Sequence, residues 1–208
     1  MIIPTYEQAK QYEKDYTCIP VCREILADDV TPILMLRKLA ALDGQYFLLE
    51  SVEGGNLGRY SFLGYHPKLS VSCKNGVVKV KENGMGRILP GKPKEALQSL
   101  LEQYRSPQIE GLPTFTGGLV GYFAYETIQY AEPKLHIKQS DVNDFELMMF
   151  DKLLAFDQVM HKLCIIVNAR TADGEAGYNK AVEEIDAFIE TLRITEPIPY
   201  EKPQKAPE

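Results

Sequence analysis

The stretch Leu48–Gly64, LLESVEGGNLGRYSFLG, holds residue types suited to gripping a small charged molecule. Glu50 and Ser51 place a carboxylate and a hydroxyl at the end of Tyr46–Leu49, an apolar and aromatic run that reads as a buried strand. Three glycines within five positions, Gly54, Gly55 and Gly58, then make a loop with access to positive φ. Arg59, Tyr60 and Ser61 return charge and hydroxyls beside a second apolar run that starts at Phe62. An acid, a base and hydroxyls facing one another across such a loop suit a zwitterion. A purely structural reading covers the same residues, because glycine loops between strands serve as turns and an exposed Glu–Arg pair contributes little.

Other candidate groups point to structure rather than chemistry. Asp151 and Asp157 are a possible carboxylate pair, but one stands beside Lys152 and the other falls in a turn, which favours structural roles for both. Pro113–Glu126 carries Gly117, Gly118 and Gly121 among aromatic residues. The Walker lysine and the GxGxxG spacing are both missing, so a sheet bend or the close approach of another backbone explains these glycines better than a phosphate cradle. Cys18, Cys22, Cys73 and Cys164 form no CxxC pair, and His66, His136 and His161 are dispersed. No zinc site is expected; reduced, buried, inert thiols are.

The elements around the central stretch follow from local pattern. Thr5 and Gln8 form a capping box for a helix from Tyr6 to about Lys14. Ile19–Leu26 alternates as a strand, and Pro20 marks it as an edge. Thr31 and Pro32 open a helix through Leu42, with Leu34, Lys38 and Leu42 along one face, Leu36, Leu39 and Ala40 widening it, and Gly44 as its stop. Leu69–Lys81, with Asn75-Gly76 at its centre, is the strongest hairpin signal. Leu97, Leu100, Leu101 and Tyr104 mark a helix over Pro93–Tyr104. Glu126–Tyr130 reads as a helical turn closed by Pro133, and Leu147–Phe156 pairs with Leu163–Val167 as two strands. Asp173 caps a final helix to about Leu192, whose apolar stripe runs from Tyr178 through Ile185 to Leu192. From Glu196 the chain holds four prolines and a charged end, a linker composition, so residues 1–195 are expected to form the domain and 196–208 a linker toward a further one.

Composition narrows the function classes. The 208 residues are 45% apolar with a net charge of −6 and scattered lysines and arginines, which argues for a globular core and against nucleic-acid binding. No run approaches a membrane span and the N-terminus lacks signal-peptide features, so a cytoplasmic protein with no membrane partner is expected.

LLESVEGGNLGRYSFLG, preceded by DDVTPILMLRKL and followed by LPTFTGGLVGYFAYETIQYAEPKL and FDKLLAFDQVMHKLCIIVNA, resembles the N-terminal region of anthranilate synthase component I from about Ile19 to Ala169. Aminodeoxychorismate synthase component I, of the folate pathway, shares that architecture; the VGYFAYE and FDKLLAFD forms look more like the anthranilate family. The resemblance implies an α+β fold, with largely antiparallel sheets packed face to face and helices outside. It also implies a protein of tryptophan biosynthesis, a lyase that turns chorismate and ammonia into anthranilate and pyruvate with magnesium. A glutamine amidotransferase, component II, supplies the ammonia. The chorismate and magnesium residues belong to a C-terminal domain outside this chain, so no catalytic or metal residue is expected here and the chain alone should be inactive. Feedback inhibition by tryptophan is what the resemblance assigns to this region. Glu50 would accept from the ammonium, Ser51 and Arg59 would donate to the carboxylate, and Leu49 with Phe62 would wall the indole, with Tyr60 and Ser61 alongside. A stand-alone amino-acid-binding module is the alternative from another class.

Overall fold

Two periodicities organise the chain. Segments that alternate apolar and polar residues become strands with one face in a core, and segments with apolar residues three and four apart become helices that cover the sheets. The computed structural model describes residues 2–50, 58–132, 134–135 and 141–199.

Eleven described strands form two antiparallel sheets. The six-stranded sheet takes β1 (Ile2–Ile3), β2 (Cys18–Leu26), β11 (Lys162–Arg170), β10 (Lys152–Asp157), β4 (Tyr60–Tyr65) and β3 (Tyr46–Leu49), in that spatial order. The five-stranded sheet runs β7 (Met85–Leu89), β6 (Val77–Glu82), β5 (Leu69–Lys74), β9 (Phe145–Phe150), β8 (Gly118–Phe123). One face of the larger sheet packs Leu63, Leu154 and Ile165 against Met35 and Leu39 of α2 (Pro32–Leu42) and Ile185 and Phe188 of α4 (Gly174–Ile194). Its other face, with Cys22, Leu153 and Ile166, meets Val120 and Met148 of the smaller sheet. The smaller sheet buries Val71, Val80 and Leu147 against Ala96 and Leu100 of α3 (Pro93–Glu102). The sheets are therefore face to face with helices outside, as expected.

Local signals were followed closely where they concern backbone groups. Thr5 and Gln8 form both bonds of the capping box at α1 (Tyr6–Lys10), and Thr31 Oγ1 accepts from the Leu34 amide 3.1 Å away. Asn75 and Gly76 turn the β5–β6 hairpin with φ of 52° and 78°, the pair of positive values that matches strand twist. Pro20 stands opposite Asn168 of β11, while two-residue β1 reaches only Cys22 and Arg23, so the proline does lie on an open edge.

Several expectations are corrected. Leu147–Phe156 is not one strand: β9 ends at Phe150, β10 starts at Lys152, and the two belong to different sheets. Tyr46–Leu49 is a strand but an edge one, with Tyr46 and Leu49 exposed, because only β4 pairs with it. α1 is shorter than expected, since its last amides bond one residue short of the helical partner and close turns instead. The buried face of α2 centres on Met35 and Leu39, one position round from the expected stripe, and Lys38 instead donates to the Leu192 carbonyl at 2.6 Å. Asp43, not Gly44, ends that helix, accepting from the Gln45 amide. In α3 Ala96 is buried and Leu101 exposed, and Asp173 precedes α4 without a side-chain cap. Strand β7, after the Asn83-Gly84 turn, was not foreseen. Pro133, expected to close the Tyr125–Tyr130 turn, lies outside the described residues.

The glycines of β8 act by close approach. A Cβ on Gly121 would strike the Glu146 carbonyl and the Leu147 Cα, both backbone atoms of β9 that cannot move aside. Gly121→Ala should lower stability by about 2–4 kcal/mol. Gly86→Ala, where a Cβ meets nothing within 4 Å, should stay within about 0.5 kcal/mol of the parent. Urea midpoints of the two variants check this; equal midpoints would contradict the close contact.

Candidate functional site

The end of β3 and the start of β4 form the candidate site. Antiparallel pairing sets Leu49 opposite Phe62, so Glu50 and Arg59, just beyond the paired residues, come to the same end of the sheet. Along β4, Tyr60 and Phe62 face the core between the sheets, their rings 5.9 Å apart, and Phe115 meets Phe62 edge-on at 5.4 Å. Leu49, 48% exposed, extends this apolar surface toward solvent.

Each expected site residue has a definite place except one. Glu50 is exposed at the strand end. Ser51 lies outside the described residues. Arg59 donates through Nε (3.0 Å) and Nη2 (2.6 Å) to Asp157 Oδ2, and its guanidinium carbon sits 5.0 Å from the Tyr60 ring centre. Ser61 is not brought to this surface. Successive strand residues point to opposite faces, and Ser61 goes to the helix side, wholly buried, its Oγ accepting from Gln158 Nε2 at 2.8 Å.

Asp157 is the residue that sequence reasoning underrated. It closes the β10 end, accepting from the Val159 and Met160 amides at 3.0 Å with one oxygen and from Arg59 with the other. A structural role was expected for it, and this is one; its partner Arg59 is 98 positions distant, beyond any local signal. Burial alone pushes the Asp157 carboxyl up, but the Arg59 guanidinium and the two amides outweigh it and hold the group below the usual carboxylate range. The Arg59 pKa is raised in return, first by that hydrogen bond. Burial raises the Tyr60 phenol, with Asp157 adding to it. Asp151, the other acid singled out, pairs with Lys68 at 3.2 Å.

Chemically, this end of the sheet offers an apolar shelf, an exposed carboxylate and a half-exposed guanidinium whose charge is partly answered by Asp157. It has no nucleophile beside a base. Among the described residues no group of three or more His, Cys, Asp or Glu side chains comes together to hold a metal ion, and no helix is long and apolar enough to cross a membrane. The four cysteines are free and buried; burial pushes the Cys18 thiol up and takes Cys73 to about 11, which leaves them poor nucleophiles.

No family model matches the chain. Among curated proteins, anthranilate synthase component 1 of Acetivibrio thermocellus is 36% identical over 190 residues, covering 89% of this chain and 38% of its own length. The protein of that name from Acinetobacter calcoaceticus is also 36% identical, over 213 residues, covering 97% of this chain and 42% of its own. This chain belongs to the anthranilate synthase component I family. It spans about two fifths of the length of the family members it matches. In fold it is similar to anthranilate synthase component I from Streptococcus pneumoniae, with a TM-score of 0.55 and 24% identity over 83% of this chain and 37% of that one. The paired antiparallel sheets agree with that likeness.

Within this anthranilate synthase component I chain, the Arg59–Asp157 pair makes a prediction about acid stability. The folded Asp157 pKa is depressed, so its contribution is present above the unfolded value of about 3.9 and is lost as pH falls through the folded one. Asp157→Asn should flatten the loss of stability below about pH 4. Asp157→Ala should cost about 2–3 kcal/mol at pH 7, since it also releases two amides. Denaturant unfolding at pH 7, 4 and 3 checks both, and an unchanged pH profile for Asp157→Asn would remove the pair from the account.

Proposed function

We propose that this chain is the regulatory and structural portion of anthranilate synthase component I. The observation that carries the reading is identity of 36% across 89–97% of this chain with proteins of that name, of which it spans 38–42%. The activity of the whole protein would be conversion of chorismate and ammonia to anthranilate and pyruvate, the ammonia coming from the component II amidotransferase. Chorismate and magnesium would be held by the portion that the relatives carry beyond this stretch. The described residues offer no carboxylate cluster that fits magnesium, so no step is assigned to it here.

What this portion would contribute is the tryptophan feedback site. Glu50 would accept from the ammonium of tryptophan, Arg59 and Ser51 would donate to its carboxylate, and Leu49, Tyr60 and Phe62 would flank its indole. Arg59 keeps Nη1 outside its bonds to Asp157, which supports a donor role, while Asp157 lowers the net charge the carboxylate would meet. Ser61 supports the strand from the opposite face. Tryptophan would bind best to the arrangement in which the two portions do not close over chorismate, and so shift the population away from the active one.

Two measurements test this. Calorimetric titration of the chain with tryptophan, with phenylalanine as control, should give selective binding if the site is housed here. In a protein that also carries the catalytic portion, Glu50→Ala should raise the tryptophan concentration for half-inhibition about tenfold, a loss of about 1.4 kcal/mol, with the uninhibited rate within about twofold. Equal loss of rate and inhibition would contradict the assignment. Release of anthranilate rather than aminodeoxychorismate identifies the branch.

A further inference from the structure

The two ends of the five-stranded sheet are built differently. At one end the β6–β7 hairpin carries Lys79, Lys81, Glu82 and Arg87, the charges by which natural sheets discourage pairing at an edge. At the other end β8, Gly118-Leu-Val-Gly-Tyr-Phe123, has no charged residue, no proline and an unbroken six-residue register with β9. Its far side pairs with no described strand. Tyr122 and Phe123 are 42% and 59% exposed, and the turn that follows adds Tyr125 at 78% and Ile128. This turn is held in place from beneath: Tyr130 Oη donates to the buried Asp144 carboxylate at 2.5 Å, and the Ala124 amide bonds the Asp144 carbonyl at 2.8 Å.

The larger sheet repeats the feature. Its edge strand β3, Tyr46-Phe-Leu-Leu49, is likewise uncharged, with Tyr46 and Leu49 exposed. Gln45, just before β3, lines the same concavity of about 680 Å³ as Gly121 and Tyr122 of β8. Both unprotected edges thus border one surface, while the charged edge lies across the sheet. Uncharged open strands beside exposed aromatics are a template for another polypeptide, and natural chains keep such edges covered.

We propose that β8 and its aromatic turn are the docking edge for the portion of the polypeptide that the relatives carry and this chain does not span. That portion amounts to more than half of each relative's length, enough to supply a strand for the edge and apolar side chains for Tyr122, Phe123, Tyr125 and Ile128. The inference rests on the family reading of the preceding subsection and adds to it the surface through which the two portions meet.

The test fuses this chain to the unspanned portion of the Acinetobacter calcoaceticus relative and compares hydrogen exchange in the fusion and in the chain alone. Amides of 118–123 should exchange at least about tenfold more slowly in the fusion, while those of 85–89 stay unchanged. Tyr122→Lys, which gives this edge the charge found on the opposite one, should abolish that slowing and leave the fold of the chain alone intact. Turnover of chorismate by the fusion is read separately. Turnover without protection of 118–123 overturns the docking edge and leaves the functional reading standing; protection without turnover supports the edge and counts against that reading; neither overturns both. A chain that alone sediments as a dimer with 118–123 already protected assigns the edge to a second copy and overturns the proposal.

Discussion

The structure turns on the passage of one extended segment from one sheet to the other at Asp151. β9 and β10 are separated by that single residue, yet β9 pairs with β5 and β8 while β10 pairs with β4 and β11. A break in a ladder leaves backbone groups without strand partners, and Asn168 of β11 answers them. Its amide donates to the Asp151 carbonyl at 2.9 Å, and its side-chain Nδ2 donates to the same carbonyl and to that of Thr116 at 2.6 Å. Lys68, just before β5, reaches the Asp151 carboxylate. One residue of the larger sheet thereby fixes both the crossing and the approach to β8. Gly117 is needed there because a Cβ would collide with the Asn168 amide.

The crossing sets the angle at which the two sheets meet, and with it the core between them. Phe150, the last residue before the break, is buried against Phe47 with ring centres 4.7 Å apart. Phe62 and Phe115 continue that aromatic layer toward the open end of β3 and β4. The candidate site is thus the margin of the inter-sheet core, where apolar packing gives way to Glu50 and Arg59. Its position follows from the packing of the sheets more than from the site residues themselves.

Buried carboxylates secure the same framework at its ends. Asp144 accepts from Tyr130 and from the Gly76 amide, tying the β5–β6 turn to the segment after β8, and burial together with this bond raises the Tyr130 phenol. Asp157 does the equivalent for β10 and the start of β4. Both acids occupy ladder ends, where amides would otherwise lack partners, and each is satisfied by a donor far away in sequence.

Thr5 with Gln8, Thr31 with Pro32, and Asn75 with Gly76 were legible because capping and tight turns involve groups three or four residues apart. The stripe of α4 was legible because helical period and burial coincide there. The motifs around Glu50, Arg59 and the β8 glycines likewise carry the family in their order along the chain. Other features were decided only by tertiary structure: that 147–156 divides between two sheets, that Tyr46–Leu49 lies at an edge, that Arg59 is committed to Asp157 and that Ser61 faces the helices. Each depends on which strand lies alongside, and partners such as Arg59 and Asp157 are 98 residues apart, so no short window of residues specifies them. Local hydrogen bonding and periodicity determine what a segment becomes; the pairing of distant strands determines which of its side chains face a ligand, a core or solvent.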